Sequence, residues 1–268
     1  MSYYHHLIKS AVVPAYGALT TAWIAATSET DTTIISALNT LETDLTTYGL
    51  TAKIKALYPM VGGTAAKHKF NFMDARDLDA AFRLTFNGGW THSSNGALPN
   101  GTNAYADTFL NEDATLTLNN EHISYYSRTN STGTYGDMGT LDIATSGNPG
   151  ISLSLKWTDG NFYPRVHDNN SGIANSGTSQ GLFVSNRTNS TQIRAFQNGV
   201  LKLITSNSII KTNFTIYIGA LHRQDGAIVF YTNRQCAFST IGSGLSDTEA
   251  ANFYTAVQNF NTTLLRNV

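Results

Sequence analysis

The sequence of 268 residues predicts a mainly β protein, in which a β-sandwich follows a short α-helical N-terminal region and is closed by a C-terminal helix. Near both ends of the chain, apolar residues recur with the 3.6-residue period of a helix. Between about residues 67 and 245 they alternate with polar residues, as in strands, and turns rich in Gly, Asn and Asp separate the alternating stretches. The composition, with 36 Thr, 25 Asn and 22 Gly, suits many short strands and polar turns.

The segment from Thr30 to Tyr48 is predicted to form an amphipathic helix. Asp31 can cap its first turn, and Tyr48-Gly49 can end it. The apolar residues that follow the helical period are Ile34, Ile35, Leu38, Leu41 and Leu45.

The rest of the N-terminal region is also predicted to be helical. A short helix over residues 51–58 would stop at Pro59, and another is expected within residues 10–27. The latter segment is too polar and interrupted for a signal peptide or a transmembrane helix. Residues 1–66 are therefore predicted to form a helical attachment or oligomerisation region, and residues 67–268 the sandwich with its C-terminal helix.

The alternating region indicates about twelve short strands. Asn-Gly and Asp-Gly pairs between such strands are the strongest short-range signals of a β-hairpin. The turns lie at Asn87-Gly88-Gly89, Pro99-Asn100-Gly101, Asp159-Gly160, Asn198-Gly199 and Asp225-Gly226. This many short strands and polar turns predict a sandwich or a barrel.

The chain is predicted to end in a helix that starts at a capping box. Ser246 and Glu249 have the S-x-x-E spacing in which each side chain can bind the backbone N–H of the other. One apolar stripe follows, formed by Ala250, Phe253, Tyr254, Val257 and Phe260. We expect this stripe to pack on the sandwich edge or on the N-terminal helices.

Three stretches in the C-terminal third resemble concanavalin A-like (laminin G-like) domains. Residues 194–200 (RAFQNGV) resemble the strand pair that turns at an Asn-Gly, and residues 214–220 (FTIYIGA) resemble the strand that follows. Residues 237–254 resemble the closing strand and helix. The resemblance implies a concanavalin A-like jelly-roll β-sandwich, but no particular ligand.

The whole chain is also similar to a recurrent type of bacteriophage virion protein. The similarity rests on residues 58–63 (YPMVGG), 77–83 (DLDAAFR), 86–93 (FNGGWTHS) and 99–108 (PNGTNAYADT). It implies a lectin-like structural protein of the particle, such as a tail fibre or a capsid decoration. Such a protein assembles in the reducing cytoplasm of the bacterial host, which agrees with the single Cys236.

The charge composition argues against two classes of partner. Charged residues make up 13% of the chain, and the formal net charge is -1. Without a basic excess, the sequence offers no electrostatic surface for nucleic acid or for anionic membranes. We therefore expect neither nucleic acid binding nor membrane insertion.

Motifs of catalysis are not recognisable in the sequence. A glycosidase on a sandwich fold needs two carboxylates that flank the cleft. Asp137 and Asp142 are an odd number of residues apart, so they fall on opposite faces of a strand. The sequence therefore predicts a protein that is not an enzyme.

The sequence also contains no recognisable motif for a cofactor and no set of metal ligands at the usual spacing. We therefore expect no cofactor and no metal. Glu112-Asp113 is predicted to lie in a turn. Calcium binding is left open at residues 159–161 and 168–170, although Asp and Asn in such loops more often only form turns. The histidines without Cys or carboxylate partners at ligand spacing are His92, His122, His167 and His222.

Aromatic residues near turns are the best candidates for binding a sugar. Trp90, Trp157 and Tyr163 can offer a flat surface to the apolar face of a sugar ring, and His167 is a further candidate. Asp159 can accept hydrogen bonds from sugar hydroxyls. The alternative is that these aromatic rings point inward and form part of the core.

The leading hypothesis is a non-enzymatic phage virion structural protein. Its lectin-like sandwich would be displayed on the particle for assembly or for adhesion to a host-surface glycan. The N-terminal region would bind other virion proteins, and we expect a homo-oligomer. The alternatives are a free carbohydrate-binding protein, a glycan-degrading enzyme of the same fold, and a sandwich that binds only neighbouring virion proteins.

Overall fold

A computed structural model describes residues 16–168, 172–174 and 177–268 of the chain. Short 3-10 turns at Thr51–Lys53 and Asp79–Ala81 accompany the helices. Over these residues, no helix is both long and apolar enough to span a membrane. The α-helices are α1 (Ala18–Thr27), α2 (Thr32–Thr47), α3 (Ala65–His68), α4 (Glu112–Thr115) and α5 (Asp247–Thr263).

Short β-strands make up the larger part of the regular secondary structure in the described residues. In chain order they are β1 (Ile54–Tyr58), β2 (Thr85–Asn87), β3 (Trp90–Ser93), β4 (Gly96–Pro99), β5 (Tyr105–Asn111), β6 (Glu121–Ser127), β7 (Met138–Leu141), β8 (Ile151–Ser154), β9 (Asn161–Val166), β10 (Ile173–Ala174), β11 (Gly181–Arg187), β12 (Gln192–Gln197), β13 (Val200–Thr205), β14 (Thr215–Ile218), β15 (Leu221–Arg223), β16 (Ile228–Val229) and β17 (Cys236–Gly242).

The strands form two sheets that pack face to face. The first sheet has the order β13-β12-β11-β6-β17-β4-β3, and β1 also pairs with β17. The second has the order β10-β9-β8-β7-β14-β5-β2, with β15 and β16 attached beside β7. Nearly all pairs are antiparallel; β15 pairs with β7 in parallel. The predicted fold class, a mainly β sandwich with few helices and a C-terminal helix, is confirmed.

The space between the sheets is filled by the inward-facing residues of alternating strands. Phe162 of β9 and Phe183 of β11 meet edge to face across this space, with ring centroids 5.1 Å apart. Ile151 and Leu153 of β8 belong to the same buried cluster. The period-two alternation in the sequence therefore corresponds to one buried and one outer face of each strand.

A second apolar cluster lies between the helices and the outer face of the first sheet. Leu38 and Leu41 of α2 contribute to it together with Phe253 and Phe260 of α5. Phe260 also lies 5.8 Å from Phe238 of β17, measured between ring centroids. The expected packing of the C-terminal helix against the N-terminal helices is confirmed.

Both predicted capping arrangements are present. Asp31 Oδ1 accepts the backbone N–H of Thr33 at 2.8 Å at the start of α2. At the start of α5, Glu249 N donates to Ser246 Oγ at 3.3 Å, and Ser246 N donates to Glu249 Oε2 at 2.8 Å. The helices over residues 30–48 and after residue 246 are therefore confirmed.

The predicted helix over residues 51–58 is wrong. Only Thr51–Lys53 is helical, and Ile54–Tyr58 forms β1, which pairs antiparallel with β17. A short apolar run cannot be assigned to helix or buried strand from its periodicity alone. Here the segment pairs with the edge of β17 that is not occupied by β6. The predicted N-terminal region of residues 1–66 thus contributes a strand to the sandwich. Its role in attachment stays a prediction, and residues 1–15 lie outside the described residues.

The turn motifs join strands in two different ways. Asn198-Gly199 connects the hairpin of β12 and β13, and both residues have positive φ, 50° and 76°, as a type I′ turn requires. By contrast, residues 87–89 lead from β2 in the second sheet to β3 in the first, and residues 99–101 lead back. A turn motif shows that the chain bends, but it does not show which sheet the chain then enters.

Candidate functional site

A cleft of about 310 Å³ lies on the outer face of the second sheet. Strands β7, β8 and β9 form its floor, and residues next to β15 and β16 form one wall. The lining residues are Leu141, Ile143, Asn148, Ser152, Ser154, Trp157, Tyr163, Arg165, Leu221 and Phe230.

Strand alternation places some polar side chains on the floor of a cleft that is otherwise mostly apolar. Leu153 of β8 points into the core, so Ser152 and Ser154 face outward. Across the hairpin, Ser152 pairs with Arg165 of β9 and Ser154 pairs with Tyr163. Two hydroxyls, a guanidinium and a phenol therefore come from one pair of neighbouring strands.

Three aromatic rings border the cleft. Trp157 contacts Tyr163 and Phe230 edge to face, with ring centroids 6.1 Å and 5.4 Å apart. The backbone N–H of Trp157 donates to the carbonyl of Asn161 at 2.9 Å, which ties the residue to the tight turn between β8 and β9. All three rings keep exposed surface, and Phe230 is 36% exposed.

Phe230 is held in a strained backbone conformation. Its φ of 60° lies in the left-handed region, which bulky residues rarely adopt. Strain of this kind persists where the surrounding structure enforces it, and it is concentrated at functional sites. Phe82 and Phe109 share this conformation away from the cleft, so the place of Phe230 in the aromatic surface rests on its contact with Trp157.

Asp159 lies beside the cleft and orients one of its rings. The Tyr163 hydroxyl donates to Asp159 Oδ2 at 2.7 Å, and Asn161 donates its backbone N–H to Oδ1 at 2.9 Å. The bond from Tyr163 lowers the pKa of the exposed Asp159 carboxyl and raises the pKa of the Tyr163 phenol. The carboxylate thus stays ionised and holds the Tyr163 ring at the mouth of the cleft.

Arg165 supplies the positive charge of the cleft. Its Nη1 donates to the carbonyl of Asn148 at 3.3 Å, and the side chain is half-buried. Burial lowers the pKa of its guanidinium, while the charge of Asp168 opposes that change. The cleft therefore offers a cationic donor next to the aromatic rings.

The structure brings together three of the four predicted sugar-binding residues. Trp157 and Tyr163 line the cleft, and Asp159 is bonded to Tyr163. Trp90 lies elsewhere, in β3, where its indole N–H donates to the carbonyls of Asn87 and Tyr105 at 3.0 Å and 3.2 Å. Trp90 is half-buried and packs against the core between the sheets, and the sugar-binding role of all four residues stays a prediction.

Sequence reasoning missed several lining residues. Ser152, Ser154 and Arg165 could have been found, because they alternate with apolar residues on the two sides of the predicted Asp159-Gly160 turn. Phe230 gave no such signal, because it reaches the cleft from a distant part of the chain.

The expectation that His167 lacks carboxylate partners is wrong. Its Nε2 lies 2.8 Å from Glu112 Oε1 and 2.7 Å from Glu121 Oε1, and all three side chains are buried. Glu112 begins α4 rather than lying in a turn. The sequence spacing concealed the group, because each residue comes from a different strand end. The ring lies inside the sandwich and cannot stack on a sugar in the cleft.

Two loops carry candidate oxygen ligands for calcium. The Asp159 carboxylate is already bonded to Asn161 and Tyr163. In the other loop, Asn169 and Asn170 lie outside the described residues. Calcium binding at either loop therefore stays an open expectation.

No protein-family model matches the chain, and no curated protein sequence matches it. Among solved structures, it is similar to domain 4 of AbnA, a GH43 extracellular arabinanase from Geobacillus stearothermophilus, in complex with arabinotriose. The identity is 13%, the alignment covers 75% of this chain and 98% of that domain, and the TM-score is 0.46.

The chain is also similar to Trypanosoma rangeli sialidase in complex with sialic acid. Here the identity is 12%, the alignment covers 65% of this chain and 30% of the sialidase chain, and the TM-score is 0.46. The chain thus spans less than a third of the sialidase. At these identities and TM-scores, neither likeness assigns a ligand or an activity to this protein.

Proposed function

We propose that this protein is a non-enzymatic carbohydrate-binding protein that holds a sugar in the cleft on the outer face of the second sheet. The observation that carries the proposal is the pairing of exposed aromatic surface at Trp157 and Tyr163 with polar groups on the same floor. The apolar face of a sugar ring packs on aromatic rings, and its hydroxyls need hydrogen-bond partners. Ser152, Ser154 and Arg165 supply those partners.

The chemistry of the lining favours binding over cleavage. Glycosidases generally place two carboxyl groups on either side of the bond they break. None of the ten described residues that line the cleft is Asp or Glu. The neighbouring Asp159 carboxylate is bonded to Tyr163 and Asn161, and it has no second carboxylate among the lining residues to act with it.

We further propose that the sandwich is displayed on a phage particle. Residues 1–66 would bind other virion proteins, the protein would be a homo-oligomer, and it would assemble in the cytoplasm of the bacterial host. This part rests on the sequence similarity at residues 58–63, 77–83, 86–93 and 99–108. The glycan would then belong to the host surface, and binding would serve adhesion.

Binding is tested with the full chain and an array of neutral and acidic oligosaccharides, followed by titration of any hit. Trp157→Ala should weaken binding at least about tenfold, which corresponds to about 1.4 kcal/mol. Trp90→Phe is the matched control, because Trp90 lies outside the cleft; it should bind like the wild type. The proposal fails if no oligosaccharide binds, or if Trp157→Ala binds as tightly as the wild type while remaining folded.

The location is tested separately by mass spectrometry of particles purified from a host lysate. A fixed copy number of the chain per particle supports the virion role. Recovery of the chain only in the soluble fraction overturns that role and leaves a free carbohydrate-binding protein.

A further inference from the structure

We infer that Glu112, Glu121 and His167 form a binding site for one divalent transition-metal ion, Zn²⁺ by its donor set, between the two sheets. One oxygen from each carboxylate and Nε2 of the imidazole lie within 4.8 Å of one another. All three side chains have no solvent exposure. Imidazole nitrogen and carboxylate oxygen are both ordinary zinc ligands, and three protein ligands leave one position of a tetrahedral ion for water.

A proton alone does not satisfy this group. Two carboxylate oxygens approach the same ring nitrogen, Nε2 of His167, at 2.8 Å and 2.7 Å, and that nitrogen can carry a single proton. Nε2 of His167 and the Glu112 oxygen that faces it have no hydrogen-bond partner in the part of the chain that the structure describes. Both oxygens of Glu121 have no hydrogen-bond partner among the described residues. Because leaving buried carboxylate oxygens unpaired is costly, a cation shared by all three ligands would remove that cost.

The ligands are held in place by the surrounding structure. Glu112 Oε2 accepts hydrogen bonds from the hydroxyls of Thr140, at 3.0 Å, and Thr212, which leaves Oε1 turned toward His167. Such outer hydrogen bonds orient the carboxylates that bind metals in proteins. His167 itself has a left-handed φ of 59° where β9 ends, and its backbone N–H donates to Gly150 at 2.7 Å.

The charges around the group also call for a cation. Glu112, Glu121 and Asp168 are buried carboxyl groups, and Arg187 is the buried cation beside them. Lys211 is close, but its Nζ lies 3.0 Å from the carboxylate of Asp113. Asp168 interacts with both Arg165 and Arg187, so with a neutral imidazole the three carboxylates still outnumber the guanidiniums, and a divalent ion would offset the remaining negative charge.

The position of the ligands suggests what the ion would do. Glu112 follows β5 and His167 follows β9, both in the second sheet, whereas Glu121 begins β6 in the first. A bound ion would therefore link the two sheets at one end of the sandwich. Because ligands gather in this way only in the folded chain, ion binding would contribute to the stability of the fold.

The test uses the untagged full chain, produced in cells grown with added zinc. Two quantities are measured: the metal content of the purified protein, and its melting temperature in the presence of Zn²⁺ or of a chelator. We expect about one zinc per chain, a higher melting temperature with Zn²⁺ and a lower one with chelator. The Glu121→Gln variant should contain no zinc, and its melting temperature should not change with Zn²⁺ or chelator. A control with His5→Ala and His6→Ala should keep both, which separates this site from the histidine pair near the N-terminus.

The wild type supplies a second readout that does not depend on the folding of Glu121→Gln. Anomalous diffraction at the zinc edge should place the ion between the three side chains. The inference is overturned if the purified wild type contains no metal and its melting temperature does not change on addition of Zn²⁺, Mn²⁺ or chelator. It is also overturned if the anomalous peak lies elsewhere. None of these results bears on sugar binding in the cleft.

Discussion

Nη1 of Arg234 lies 2.6 Å from Oδ2 of Asp137, and both side chains are fully buried. Asp137 also accepts a hydrogen bond from the Thr232 hydroxyl at 2.7 Å and from the Leu155 backbone at 2.9 Å. Arg234 precedes β17 of the first sheet and Asp137 precedes β7 of the second. The ion pair therefore ties the two sheets together.

Removing one partner of this pair should be strongly destabilising. Asp137→Ala leaves the Arg234 guanidinium buried without a counter-charge, so we expect the free energy of unfolding to fall by about 3–5 kcal/mol. In the Arg76–Asp74 pair at the surface, Asp74→Ala should lower the free energy of unfolding far less, because water screens the two charges. Urea unfolding of both variants measures the difference, and equal small losses would contradict this interpretation.

Arg266 should not be replaceable by Lys. Its buried guanidinium donates to the carbonyls of Pro59, Met60 and Ala237 at 2.7 Å, 2.9 Å and 2.8 Å, which joins the C-terminus to the first sheet. Lys has a single ammonium group and cannot reach all three acceptors, so Arg266→Lys should cost at least about 3 kcal/mol. Arg194→Lys, at the surface pair with Asp247, is the control for urea unfolding. Similar midpoints for the two variants would count against the anchoring role.

The capping box of α5 should have a measurable effect on stability. Ser246→Ala removes the acceptor for the Glu249 backbone N–H, so we expect a loss of about 1 kcal/mol. Ser36→Ala, at an exposed position inside α2, should leave stability unchanged or slightly raise it. Thermal unfolding of both variants distinguishes a capping effect from a general Ser→Ala effect.

His122 should make the protein sensitive to acid. Its Nδ1 donates to the Ser243 carbonyl at 2.6 Å, and its Nε2 lies 3.0 Å from the Thr240 hydroxyl, which can donate to a neutral ring. Burial lowers the pKa of His122 to about 4; the charge of Lys53 adds to this, while the Ser243 carbonyl and Glu249 oppose it. The pKa of a histidine in the unfolded chain is about 6.5. Above that pH the His122 ring is neutral in both the folded and the unfolded chain, so it makes no contribution to the pH dependence of stability.

As the pH falls from about 6.5 to about 4, the unfolded chain binds a proton that the folded protein does not. His122 should therefore lower the free energy of unfolding by up to about 3 kcal/mol over this range. NMR titration of its imidazole in the folded protein is the direct check. A titration midpoint near the ordinary histidine value would refute the prediction.

Arg165 should give the cleft a preference for acidic sugars. A charged hydrogen bond from its guanidinium to a sugar carboxylate contributes about 1.5–3 kcal/mol. Arg165→Met should weaken binding of carboxylate-bearing oligosaccharides at least about tenfold and change the binding of neutral ones little. Arg223→Met, which removes a partly exposed arginine bonded to Asp225 and outside the cleft lining, is the matched control. Equal losses for both sugar classes would show that Arg165 acts through packing.

Local patterns in the sequence were sufficient for much of the secondary structure. The helical period over residues 30–48, the Ser246–Glu249 spacing and the Asn198-Gly199 pair each act within a few residues of one another. Their physics does not depend on distant contacts, so the elements they predict are present. Ile54–Tyr58 is different, because its pairing with β17 outweighs a weak local preference.

The sequence by itself determined that the chain is a mainly β sandwich with polar turns and capped helices, because alternation, turn chemistry and capping are local properties. It also marked Trp157, Asp159 and Tyr163, which share one hairpin. Only the tertiary structure decided that Phe230 joins them, that Trp90 does not, and that Glu112, Glu121 and His167 meet inside the sandwich. These contacts depend on how separate strands are ordered in the two sheets, and no local pattern encodes that order.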